Sequence, residues 1–239
     1  MAGRQDPDLA KVMDRFVCVR IVQGWGLDLS LFQFDWRATW TVFLMNADRA
    51  IYGRYDARQA DDMVGLRKAL EGALELHEKW PANKAELAGK TGPAPRWKVP
   101  EQIPSLVEKG KYKPAVGREG CIHCHNILEG TRKSIKALGE PVPAPLSSPY
   151  PTPQRVGMML STKERATVTD VDRHSPAEQA GILPGDRILR FGGQPVVSWA
   201  DVQWVLYTAA DGDPVRIELD RGGRPVEASL ILPPGWRTR

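Results

Sequence analysis

Apolar positions along the chain change their period twice, and each change marks a boundary. Residues 8–15 carry helical spacing, residues 16–22 form a run of β-branched and apolar residues that predicts a strand, and 41–45 and 50–55 predict two more. Asn46-Ala47-Asp48-Arg49 lies between the last two as a hairpin turn. Residues 61–79 then set Val64, Leu66, Leu70, Ala73, Leu74 and Leu76 on one broad face of an amphipathic helix. Beyond Trp80 the periodicity fails, because Pro81, Pro93, Pro95, Pro100, Pro104 and Pro114, then prolines from Pro141 to Pro153, interrupt any ladder of backbone hydrogen bonds. This stretch predicts a connector with a short helix over 103–108 and another opening at or just after Cys121-Ile122-His123-Cys124-His125 and running to about Leu138.

Short strands with glycine turns return after residue 155. Residues 166–172 alternate as a strand; Ser175 caps a helix with Pro176 at its first position and Gly181 at its end; Leu183-Pro184-Gly185-Asp186 makes a tight turn. A strand over 187–191 ends at Gly192-Gly193, and Ser198 caps a helix over 199–209. Residues 214–219 then pair with 226–232 across Asp220-Arg221-Gly222-Gly223. The pattern divides the chain into 1–80, 81–151 and 152–234, with no internal repeat.

Composition narrows the partners more than the fold. With 239 residues, 42% of them hydrophobic, the chain can build packed cores in more than one domain. A net charge of +4 without a basic stripe makes nucleic acid an unfavoured partner. No run reaches the ~18 apolar residues of a spanning helix, and Met1 to Pro7 lack the apolar stretch of an export signal, so export would need a signal upstream or already removed. No Gly-x-Ser-x-Gly, phosphate-binding loop or Gly-x-Gly-x-x-Gly is present, and no catalytic residue is assigned.

One stretch joins residue type and spacing into a defined chemistry. Cys121-Ile122-His123-Cys124-His125 is a C-x-x-C-H pentapeptide, in which two thiols can attach a haem and the following histidine can ligate its iron. Cys121, Cys124 and His125 are therefore the expected haem c site, with His125 as metal ligand. Two alternatives use the same cysteines: a zinc site completed from Cys18, His77 or His174, none of them paired at close spacing, and a dithiol or disulfide. Cys18 itself, in the expected strand over 16–22, reads as a small buried hydrophobe.

Ser175-Pro176-Ala177-Glu178-Gln179-Ala180-Gly181-Ile182-Leu183-Pro184-Gly185-Asp186, continuing to Val196, is similar to the most recognisable stretch of bacterial PDZ domains. The resemblance implies binding of a protein C-terminus as an added strand, with Val156, Gly157, Met158, Met159 and Leu160 as carboxylate loop and binding strand, and Val202, Val205 and Leu206 as the pocket wall. The alternative reading of the same positions is ordinary core. Thr39-Trp40-Thr41 before the hairpin resembles the Thr-Pro-Thr of thioredoxins, with Trp40 where that family has its cis-proline and without the strand and helix that bear the family's dithiol. The expected fold class is thus α/β plus α+β: a partial thioredoxin-like domain, a proline-rich connector with short helices, and a PDZ domain as a partly open β-barrel with two helices. The order resembles bacterial exported proteins that fuse thioredoxin-like and PDZ regions. It implies a periplasmic or extracytoplasmic protein that binds C-termini and uses haem for electron transfer, or, alternatively, a non-catalytic adaptor or thiol-disulfide protein.

Overall fold

Asp6 opens the first helix, its carboxylate accepting the backbone N–H groups of Asp8 and Leu9 while Pro7 occupies the first turn, where no donor is needed. In the computed structural model, which describes residues 6–57, 63–108, 122–147 and 150–238, this helix is α1, Pro7–Met13. The strands β1, Trp40–Met45, and β2, Ile51–Ala57, pair antiparallel, with a register shift between Leu44 and Met45. Their turn is the expected one: the Asn46 side chain accepts the Ala50 N–H, and Arg49 takes the left-handed conformation (φ 65°). Helix α2, Met63–His77, lays Ala69, Leu70 and Ala73 against Leu9, Leu44, Tyr52 and Tyr55. The short α3, Lys84–Leu87, adds Leu87 to that core.

The chain divides into two compact units that are each discontinuous in sequence. One comprises Met1–Val17, Thr39–Lys90 and Tyr150–Arg239; the other comprises Cys18–Ala38 and Thr91–Pro149. The second unit contains α4, Pro104–Val107, α5, Cys124–Ala137, and α6, Ala144–Ser147. Trp25, Leu29, Ile103, Leu106, Ile122 and Ile127 form its core. Gly130 lets α5 approach α4 so closely that a Cβ there would fall 2.6 Å from Leu106, and the Ser105 hydroxyl donates to the Gly130 carbonyl at 2.7 Å. A proline-rich sequence thus folds around aromatic and aliphatic anchors instead of regular ladders.

Residues 16–22 are not a strand. Val17 and Val19 are 93% and 82% exposed, and Cys18 is exposed instead of buried, because among the described residues no neighbouring strand supplies the hydrogen bonds and packing that β-branched residues need. The hairpin β1–β2 is a sheet of two strands, so a thioredoxin fold is not built here.

In the first unit the C-terminal stretch supplies β3, Met158–Leu160, β4, Val168–Val171, α7, Pro176–Gln179, β5, Arg187–Phe191, β6, Gln194–Pro195, α8, Trp199–Thr208, β7, Pro214–Arg221, and β8, Arg224–Ile231. Strands β3 and β4 pair antiparallel; the other four lie in the order β6-β5-β7-β8. None of these sheets closes into a barrel. Ser175 caps α7 and Ser198 caps α8 through their hydroxyls, as their positions before Pro176 and Trp199 predict. At the tight turn, Asp186 accepts the Leu183 N–H and both Arg221 guanidinium contacts, at 2.7 and 2.8 Å. Burial pushes the Asp186 carboxyl up, but these donors more than offset it and hold its pKa below the ordinary carboxylate range.

Candidate functional site

The approach to β3 decides the shape of the site. A 3-10 turn, Pro153–Val156, delivers the chain to Gly157, which sits at φ 80° and ψ 24°. A Cβ at Gly157 would lie 2.2 Å from that of Ser175, so both backbone and space demand glycine. Its N–H donates to Gln154 and its carbonyl accepts from Asp172, each at 3.0 Å. Met158 pairs with Val171 and Met159 with Asp170 along one edge of β3. Among the described residues no strand pairs with the other edge.

Helix α8 shows three working faces, as its spacing allows. Val202 and Leu206 are fully buried in one cluster with Val156 and Met158, and Leu160 packs on that cluster from the side. Val205, buried in the same cluster, also reaches Gly192, where a Cβ would fall 2.6 Å from its Cγ1. The structure therefore brings Val156, Met158, Val202, Val205 and Leu206 together and places Met159 and Leu160 half-buried beside them. Gln203 and Tyr207 occupy the next stripe: Gln203 donates to the Tyr150 carbonyl at 3.2 Å, and Tyr207 stacks on the Tyr150 ring at 3.6 Å between centroids. The four-residue interval from Trp199 to Gln203 to Tyr207 is visible in the sequence, but only knowledge of the helix's buried face singles it out.

The third face of α8 carries charge into the interior. Asp201 accepts the N–H groups of Val197 (2.9 Å) and Arg54 (3.2 Å), and the Lys90 ammonium lies 2.8 Å away with no accessible surface. The Arg54 guanidinium stacks 4.0 Å over the Trp204 ring and donates to the Lys90 carbonyl. Burial pushes Arg54 down to about 10 against the upward pull of Asp201, and pushes Lys90 down as well. No sequence motif announces this cluster, because lysine and aspartate are residue types that pattern reading assigns to the surface.

The C-x-x-C-H residues belong to the other unit. Cys121 lies outside the described residues; Cys124 opens α5, and the N-terminal flank is held by the His123 N–H donating to the Asn126 side chain at 2.8 Å. His125 is exposed, its ring stacked on His123 at 5.7 Å, while α5 buries Ile127, Leu128 and Ile135. Among the described residues no three His, Cys, Asp or Glu side chains converge to hold a metal ion.

The family model of the PDZ domain matches residues 154–232, the stretch that contains Gly157, β3 and α8. Residues 154–232 are a PDZ domain. HhoB of Synechocystis sp., named as a serine protease, is 41% identical over 122 residues, covering 51% of this chain and 25% of that protein. Magnetosome formation protease MamE of Magnetospirillum gryphiswaldense is 34% identical over 86 residues, covering 35% of this chain and 11% of that protein. The chain thus spans a quarter or less of the length of these curated relatives. Among solved structures, the HtrA3 PDZ domain bound to a phage-derived ligand (FGRWV) is 27% identical, covers 34% of this chain and 75% of that one, and gives a TM-score of 0.25.

These matches overturn the haem reading of Cys121, Cys124 and His125. The relatives are named as proteases, not electron carriers, and His125 is exposed, with no three metal-ligating side chains converging among the described residues. The redox, thioredoxin and electron-transfer expectations fall with it.

Proposed function

We propose that the PDZ domain captures the C-terminal residues of a partner protein as an added strand on the free edge of β3. The observation that carries the reading is the unpaired β3 edge beginning at a glycine that sterics make obligatory, with apolar Val156, Met158, Val202 and Leu206 clustered behind it. In the bound state the partner's carboxylate takes the N–H groups of the loop around Val156, Gly157 and Met158, with Gly157 exchanging its Gln154 carbonyl for the ligand. The last side chain of the ligand enters between Met158, Leu160 and Leu206, displacing water from apolar surface. Met159 lines the strand. Val205, turned to Gly192, supports the wall from behind.

The ligand-bound PDZ neighbour accords with a peptide partner. Proteolysis by the longer relatives is not carried to this chain. A location outside the cytoplasm belongs to the same proposal and is read by cell fractionation; among the described residues no helix is long and apolar enough to cross a membrane. The deciding experiment displays peptides with randomised free C-termini, selects on the full chain, and titrates the winners as acid and as amide. Loss of about tenfold or more on amidation supports carboxylate capture, since charge-assisted hydrogen bonds are lost. No selectable peptide, or equal binding of acid and amide, overturns it.

A further inference from the structure

We infer that helix α2 closes the far end of the PDZ groove, so that this domain reads only a short C-terminal tail and cannot accept a chain running through it. The inference rests on the peptide-binding reading above and adds the length of ligand that fits.

The groove has two walls, β3 with the residues after it and α8, and α2 touches both at the same end. Gly65 abuts the first wall: a Cβ there would lie 2.0 Å from the Thr162 carbonyl oxygen, so no space separates the helix from the end of the binding strand. Gly72 abuts the second wall, where a Cβ would meet Val197, the residue before the Ser198 cap of α8, at 3.1 Å. From Gly65 to Gly72 a helix rises about 10 Å, which carries α2 from one wall to the other. Arg165, on the loop following β3, fastens the helix to this wall. It donates to the Lys68 carbonyl at 2.9 Å and to both Glu75 carboxylate oxygens at 2.7 Å. Lys68 answers with Glu164 at 3.2 Å. Glu75 is held below the usual carboxylate range, first of all by its hydrogen bonds to Arg165.

The near end of the groove is Gly157, and the far end is Thr162. At about 3.3 Å per residue, β3 and the two residues after it, up to Thr162, offer at most about 13 Å, room for no more than about four ligand residues in extended form. A fifth meets the α2 backbone. Two glycines on one helix, each against a different wall, make this closeness possible; a side chain at Gly65 would push the helix off the groove, and one at Gly72 would press on Val197.

The test uses the winning sequence from the C-terminal selection, synthesised as free acids of three to eight residues and titrated against the full chain. The expected result is affinity that rises to about four residues and then changes by less than about twofold, because further residues find no edge to hydrogen-bond. A continued gain of about threefold or more per residue pair up to eight residues overturns the inference while leaving C-terminal capture intact. No binding at any length overturns the functional reading itself. In an Arg165→Ala, Glu75→Ala variant whose circular dichroism matches that of the parent, the plateau moves to longer peptides; an unchanged plateau there overturns α2 as the stop.

Discussion

Removing Asp201 is the sharpest test of how α8 is held. Asp201→Ala deletes the counter-charge of Lys90, a side chain with 0% exposure, and leaves the N–H groups of Val197 and Arg54 without their acceptor. Breaking a buried ion pair from one side costs about 3 to 5 kcal/mol, and each orphaned buried donor about 1 to 3 more, though the terms overlap because the site relaxes. The second cation makes matters worse: Arg54, already pushed down to about 10 by burial, loses the carboxylate that pulls it up. We expect a net loss of about 4 kcal/mol, which at a urea slope of about 2 kcal/mol per M moves the midpoint down by about 2 M.

Urea titration of the full chain, followed by the indole proton of Trp204 in NMR, checks this, since that indole donates to the Gly89 carbonyl at 2.9 Å, next to Lys90, and reports the packing of that segment on α8 directly. Lys90→Met should cost less than Asp201→Ala, because it strands a single carboxylate that keeps two backbone donors. The double variant Lys90→Met, Asp201→Ala should lose at least about 2 kcal/mol less than the sum of the single changes, the signature of a coupled pair. A cost below about 1 kcal/mol for Asp201→Ala, or strict additivity in the double variant, refutes the buried pair.

Three further outcomes follow from the same structure. Gly157→Ala forces a left-handed backbone and a 2.2 Å clash with Ser175, so stability falls by about 2 kcal/mol or more in urea titration and peptide binding is lost with it. The folded-state pKa of Asp186 lies below its ordinary value, so its contribution is full above about pH 4 and lost as pH falls through the folded value; Arg221→Ala should flatten that part of an acid-unfolding curve. Val19→Ser, at a position 82% exposed, should leave the thermal midpoint within about 2 °C of the parent, whereas a core strand over 16–22 would lose far more.

The PDZ half was legible because its signals are local. Ser175 and Ser198 as caps, Gly181 and Gly185 as left-handed turn positions, and the Asp220 to Gly223 hairpin each fix backbone within a few residues, and the structure keeps all of them. The run over 16–22 misled for the opposite reason. Its β-branched residues satisfy strand propensity, yet a strand needs a neighbour, and propensity does not say whether one exists. The C-x-x-C-H pentapeptide misled in a second way, since spacing supplies donors but not the apolar pocket that makes them a haem site.

What the sequence hid completely is that the hairpin and α2 belong to the PDZ domain's own unit. The contacts that unite them are buried charges and close-packed glycines: Lys90 on Asp201, Gly53 and Gly72 on Val197, Gly65 on Thr162. Lysine, aspartate and glycine are the residues that pattern reading assigns to surface and turns, so segments joined through them read as separate domains. The same contacts bear on binding. A ligand entering beside β3 meets a groove whose second wall, α8, is braced from behind by Asp201 and at its end by α2, and a wall so fixed selects by fit with little adjustment of its own.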